Sequence, residues 1–310
     1  IVKLTSAGSV SFTGTLKTGN ASKSVTLGNN GWNLIGNSYA SFINANSSAD
    51  NTNNILDLSS NFSILETGFK AIYIWDTVSQ TYKPVNNASD AKYLAPGQAY
   101  FVKVNANGNI VLNENMQSHQ AGNHFLRSTT NRFEIKLKAK KGKVEKNTDV
   151  KYIKGTTTGL DEGYDAGLFN ADGTSFAVYT HLISESEGTN YALQALPNNS
   201  YNSMIVPVGL NASNGDIITF SVSATDVNAG DIVTLSATGA PFTGVSNPAT
   251  FPSASGFSPV SSTFSWTTNC SNIRKAPFPV YFVAKFSEPA TEFGTWKKPY
   301  KYDGVEAQWM

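Results

Sequence analysis

Three carboxylates, Asp161, Glu162 and Asp165, fall within five residues of the stretch TTTGLDEGYDAGLF, and Asp172 follows just downstream. Calcium takes several hard oxygen ligands from loops rich in carboxylate and carbonyl groups, so these three are the candidate calcium ligands. Their spacing departs from the twelve-residue calcium loop, and the plainer reading is a solvated acidic turn. Paired carboxylates also serve glycoside hydrolysis, which needs two of them about 5 to 10 Å apart across a cleft; neighbours crowded on one turn do not suggest that arrangement. His119 and His124 are five residues apart, a spacing that fits neither one helix face nor strand alternation, so they do not read as metal ligands. Cys270 stands alone, which excludes an intrachain disulfide and a paired-cysteine zinc site. With no histidine near it in sequence, it reads as a small buried hydrophobe rather than a nucleophile.

Two further groups could bind rather than react. Eight lysines lie between 136 and 154 and could face an anionic polysaccharide or a phosphate-rich surface, although solvated strand faces and edge protection are the plainer reading of them. Trp32 could stack on a sugar, but its alternation with Leu34 reads as a core anchor, with Tyr39 also inward. No Gly-x-Ser-x-Gly elbow, His-Glu-x-x-His helix or Gly-rich phosphate cradle is present, so no catalytic residue is assigned and a non-enzymatic role is expected.

The elements that would carry these residues are strands. GWNLIGN, residues 31 to 37, follows Asn29-Asn30 and reads as a turn, with a glycine suited to positive φ, running into a half-buried strand. In residues 69 to 75 both alternating sets are apolar, which predicts a strand buried on both faces with Trp75 in the core; Tyr82 to Val85 is its hairpin partner. Ala95-Pro96-Gly97-Gln98 reads as a turn oriented by Gln98. In residues 133 to 140, Phe133, Ile135, Leu137 and Ala139 alternate with Glu134 and three lysines, so one face is core and the other wet. Four more strands are expected within 176–182, 191–195, 203–208 and 216–224. Beyond 228 three others, near 232–237, 263–267 and 280–284, surround Trp266 as core anchor. Residues 56 to 65 predict a short helix or irregular cover.

Length and composition agree with short strands and polar turns. The chain has 310 residues, 12% aromatic and 15% charged, with a formal net charge of +1. Such a charge offers no global field to draw nucleic acid or an anionic membrane. No apolar run reaches the length of a membrane span. The chain starts at Ile1, which reads as a mature or excised piece. The expected fold class is all-β, as tandem β-sandwich modules over 1–128, 129–228 and 229–290, the last cadherin-like or PKD-like and incomplete, with 291–310 an unassigned tail.

GWNLIGN, IYIWD (72–76) and APGQAYFVKV (95–104) resemble segments of modular β-rich secreted surface and adhesin-like proteins of the Bacteroidetes lineage. The acidic stretch ending in GYDAGLF resembles a second recurrent segment of those proteins. NAGDIVTLSATGAPF and STFSWTTNCSNIRKAPFPVYFVAK resemble their gliding-motility-associated repeats. The GWN segment departs from the family in reading Ser38-Tyr39-Ala40-Ser41 where two prolines are usual. The resemblance implies an extracellular or outer-surface location, export by type IX secretion, and a structural or adhesive role with a surface protein or glycan as partner. The alternative is a carbohydrate-binding accessory region of a larger secreted enzyme. It also implies O-glycosylation at Thr77, within the Asp-Thr-aliphatic triplet of residues 76–78.

Overall fold

The computed structural model describes residues 13–28, 30–77, 79–120, 132–169, 176–186, 188–199, 204–211, 217–225, 230–269, 272, 280–287 and 305–309. Asp172, His124, Cys270 and most of the tail lie outside them. Among the described residues, all but a short helix and two single turns of tighter helix are strand, turn or extended loop, so the fold is largely β.

The first body of sheets runs through β1 (Ala21–Val25), β2 (Trp32–Gly36), β3 (Phe42–Asn44), helix α1 (Ser59–Ile64), β4 (Ile72–Asp76), β5 (Thr81–Val85), β6 (Tyr93–Leu94), β7 (Ala99–Lys103), β8 (Gly108–Leu112) and β9 (Gln117–Ser118). They form three small sheets, in orders β1-β8, β2-β7-β4-β5 and β6-β3-β9. One core lies between them, built from Val25, Ile35, Ile43, Ile72, Leu94, Tyr100, Val102, Ile110 and Leu112 with α1 as cover. The expected turns are present. Gly31 has φ of 71° where its α-carbon meets the Val104 carbonyl, and a side chain there would collide with that backbone. Gly97 has φ of 70°, and the Gln98 side chain accepts the Ala95 N–H at 3.0 Å, so it holds the turn.

The second body contains β10 (Glu134–Lys141), β11 (Val144–Ile153), β12 (Ala166–Gly167), β13 (Ala177–Thr180), β14 (Tyr191–Pro197), β15 (Ile205–Asn211), β16 (Ile217–Thr225), β17 (Ile232–Gly239), β18 (Ala254–Phe257), β19 (Val260–Thr267), β20 (Val280–Ser287) and β21 (Val305–Trp309). All belong to one sheet ordered β18-β17-β20-β21-β15-β13-β14-β11-β10-β16-β19, with β12 beside β14. The sheet is partly curled. Phe264 on β19, at one edge, meets Phe282 on β20, near the other, edge to face at 6.0 Å. Inside the curl, Leu137, Val150, Val206, Phe220, Val222, Val233, Phe264 and Trp266 share one core, so the core runs through both sides of residue 228. Trp266 is the buried anchor expected of it, and its ring N–H donates to the Asn247 carbonyl at 2.8 Å.

The alternation in residues 133–140 holds as read: Ile135, Leu137 and Ala139 are buried, and Glu134 and the lysines face water. In β2 the face assigned to the core is the wrong one, and β4 is buried on both faces only in its first half. Ile35, not Leu34, points into the first core, and Leu34 is 44% exposed. Trp75, expected in the core, is 49% exposed. Both faces of these strands are apolar, so periodicity could not say which one the core covers.

Candidate functional site

The acidic segment of 157–167 lies where the two bodies of sheet meet. Asp165 is fully buried, and each of its carboxylate oxygens accepts a backbone N–H at 2.7 Å, from Asp161 and from Ala195. Burial away from water raises its pKa to about 7, and this outweighs the two N–H donors, which favour the charged form. Asp161 turns the other way: its Oδ2 accepts the Thr157 N–H at 2.6 Å and the Thr157 hydroxyl at 3.2 Å. Glu162 reaches across the joint to Lys70, whose ammonium lies 2.8 Å from Oε2 and 3.9 Å above the Phe62 ring. The structure therefore gives the three expected calcium ligands three separate partners. Among the described residues no three His, Cys, Asp or Glu side chains gather as a metal cage; His119 is exposed.

The same joint has more polar ties than the acidic segment alone supplies. Asn86 donates to the Tyr164 carbonyl at 2.7 Å, Lys151 to the Ala88 carbonyl at 3.2 Å, and Arg132 pairs with Asp90 at 2.9 Å. Burial pushes the Lys151 ammonium below its ordinary pKa, with Arg132 adding to the effect. Tyr73 donates to the Gly167 carbonyl at 2.9 Å, and the Gly167 N–H donates to the Gly68 carbonyl at 2.7 Å. A methyl group at Gly167 would overlap the Phe69 ring, so only glycine lets β12 approach here. Between these ties lies an apolar cluster of Ala71, Tyr73, Ala88, Ala166, Leu193 and Ala195.

That cluster continues onto the outer face of the sheet β2-β7-β4-β5. Trp32 sits edge-on to Tyr73 at 4.8 Å and tilted against Phe169 at 4.4 Å. Phe169, from the second body, also meets Tyr82 at 4.6 Å and Phe101 at 5.2 Å. Trp32 is thus half-buried under the second body rather than in the first core. Farther along the same face the cover thins: Trp75 packs edge-on against Tyr82, at 5.1 Å, and is half exposed, and Leu34 is exposed. The hairpin turn beside Trp75 carries Thr77, which is exposed. Asp76 before it accepts the Ser79 N–H at 2.7 Å and pairs with Lys83 at 2.9 Å. Against the burial that would raise it, these hold its pKa at about 2.

Sequence reasoning missed the joint because its partners are far apart in the chain: Lys70 and Glu162 are separated by 92 residues. The exposed Trp75 was legible only as an apolar residue on a two-faced strand. Fold and site together define a β protein of two tightly joined bodies with an aromatic surface beside the joint. The model of one family, described as a domain of unknown function (DUF8693), matches residues 3–231, and the chain belongs to that family. The match covers the whole joint and ends near the change of pattern at 228. No curated protein and no solved structure matches the chain.

Proposed function

We propose that this chain is a non-enzymatic structural or adhesive part of an extracellular surface protein, exported by the type IX pathway, with a protein or glycan of the surroundings as its partner. The observation that carries the reading is the joint. Glu162 pairs there with Lys70, and Asn86, Lys151, Arg132 and Tyr73 add further ties between the two bodies of sheet; a surface piece that transmits load needs such a fixed connection. In the same proposal residues 229–290, with their cadherin- or PKD-like pattern, are the unit through which further modules of an array would follow. Thr77, on an exposed hairpin turn, carries the O-glycan that the lineage resemblance implies, and intact-mass analysis of native material would show it as added hexose mass.

Protease treatment of intact source cells tests the location: the protein should be cleaved from outside, and its surface exposure should vanish when type IX export is blocked. Full protection in intact cells would refute the reading. Gly167→Ala tests the joint. It should split one unfolding transition into two; a single unchanged transition would remove the joint from the argument.

The half-exposed Trp75, beside Tyr82 and on the same sheet face as the exposed Leu34, supports a second reading, in which the chain is a carbohydrate-binding accessory region. Aromatic rings open to solvent on a sheet face can stack on sugar rings. A glycan array that gives a signal lost in Trp75→Ala, with stability unchanged, would favour it.

A further inference from the structure

We infer that the outer face of β10, β16 and β19 is a binding track for an acidic polysaccharide. Strand register sets out the track. Lys136 lies beside Ser223 and Ser223 beside Ser261; Lys138 beside Ser221 and Ser221 beside Thr263; Lys140 beside Thr219 and Thr219 beside Ser265. Each row therefore crosses three strands as a cation followed by two hydroxyls. Rows repeat every second residue, about 7 Å apart, and neighbouring strands are about 4.8 Å apart. Glu134 and Thr225 close one end, and the rows around Ser221 and Ser223 sink into a groove of about 320 Å³.

The charges on this face are layered. Carboxylates of Glu134, Glu145 and Asp149 are the recessed members, with side chains 30%, 20% and 19% exposed, whereas Lys136, Lys138 and Lys140 stand out at 38%, 43% and 60%. Lys138 and Lys140 share the single carboxylate of Glu145, at 3.3 and 3.2 Å. Lys136 is held loosely, 3.9 Å from Glu134 and 4.0 Å from Asp149, beyond hydrogen-bond reach. The outermost layer is therefore positive over an acidic base. Hydroxyls of Ser221, Thr225 and Thr263 make no hydrogen bond to the described residues, and Ser261 donates only to Ser223, at 3.2 Å. A face that offers repeated cations for carboxylates or sulfates, with a double column of donor-acceptor hydroxyls alongside, fits a linear polyol bearing anionic groups. Nucleic acid fits less well, because no aromatic side chain on these rows offers a stacking surface for bases. Choosing a polysaccharide over other polyanions rests on the surface role proposed above, but the site is separate from the Trp75 face.

Affinity electrophoresis of the whole chain through gels containing polygalacturonate, a neutral glucan or single-stranded DNA tests the track. Polygalacturonate should retard the protein, and salt should weaken the effect. Lys136→Gln, Lys138→Gln and Ser223→Val should each raise the apparent Kd about five- to tenfold, and Ser223→Thr should restore it. Trp75→Ala should leave it unchanged, as should Lys143→Gln, which lies in the β10–β11 turn off the face. Absence of retardation, equal retardation by DNA, loss of binding in Lys143→Gln equal to that in Lys138→Gln, or indifference to Ser223→Val in a normally folded variant would each overturn the inference. None of these results bears on whether the protein is exposed at the cell surface, so the two proposals fail separately.

Discussion

Residues 13–120 and residues 132–287 are both made of strands, yet different groups hold them together. The first body has only short strands in three sheets, and buried asparagines tie its loops. Asn46 donates to the carbonyls of Asn86, Ser89 and Asp90 and accepts the Lys92 N–H. Asn61 links the Ile55 carbonyl to both the N–H and the carbonyl of Val111, and Asn37 serves the 94–98 turn in the same way. The second body instead has strands of up to ten residues whose alternate side chains fill one core. Where strands are long, the ladder satisfies the backbone; where they are short, side-chain amides must do so, because an unpaired buried peptide group costs about 1–3 kcal/mol. The asparagine-rich text of the first body is thus its internal framework as well as its turns.

That contrast can be broken most strongly in the second body. Phe264→Ala removes a fully buried ring that touches Phe220, Phe242 and Phe282 and should cost about 3–5 kcal/mol in urea unfolding. A loss under about 1 kcal/mol would mean that the curled core is not continuous. Next in size, Asn46→Ala leaves three carbonyls and one N–H without their partner and should cost about 2–3 kcal/mol, while an exposed asparagine such as Asn51 should tolerate alanine with little change. Equal tolerance at both sites would show that the clamps contribute nothing.

The joint between the bodies predicts a dependence on pH. Asp165 has a folded-state pKa of about 7, above the ordinary carboxylate value of 3.8, so the native state binds its proton more tightly than the unfolded state. Its stability contribution is complete below about pH 4 and is lost as pH rises through 7. Asp76, held at about 2, acts in the opposite direction, and its contribution is lost as pH falls from about 4 through 2. The difference in melting temperature between the parent and Asp165→Asn should therefore change between pH 5 and 8, and a pH-independent difference would rule out the buried carboxyl as the cause. Smallest of all, Trp75→Ala should alter stability by no more than about 1 kcal/mol, since the ring is half in water. A larger loss would place Trp75 in the core after all.

Much of the fold was legible because strand signals are local. The wet and dry faces of β10, the hairpin of β4 and β5, the turn held by Gln98 and the anchoring of Trp266 all follow from neighbours in sequence. What the sequence by itself determined was an all-β chain and the sets of side chains that share a face, because period-two alternation is a property of the extended backbone. Tertiary structure alone decided which of two apolar faces is covered. It put Ile35 inside and Leu34 and Trp75 outside, and it placed Phe169 over Trp32. It likewise paired Glu162 with Lys70 across the joint and buried Asp165 against Ala195, and it passed one core through both sides of residue 228. The physical reason is the same in each case: covering a face or pairing a charge depends on a partner brought from far along the chain, and no local pattern encodes that partner's position.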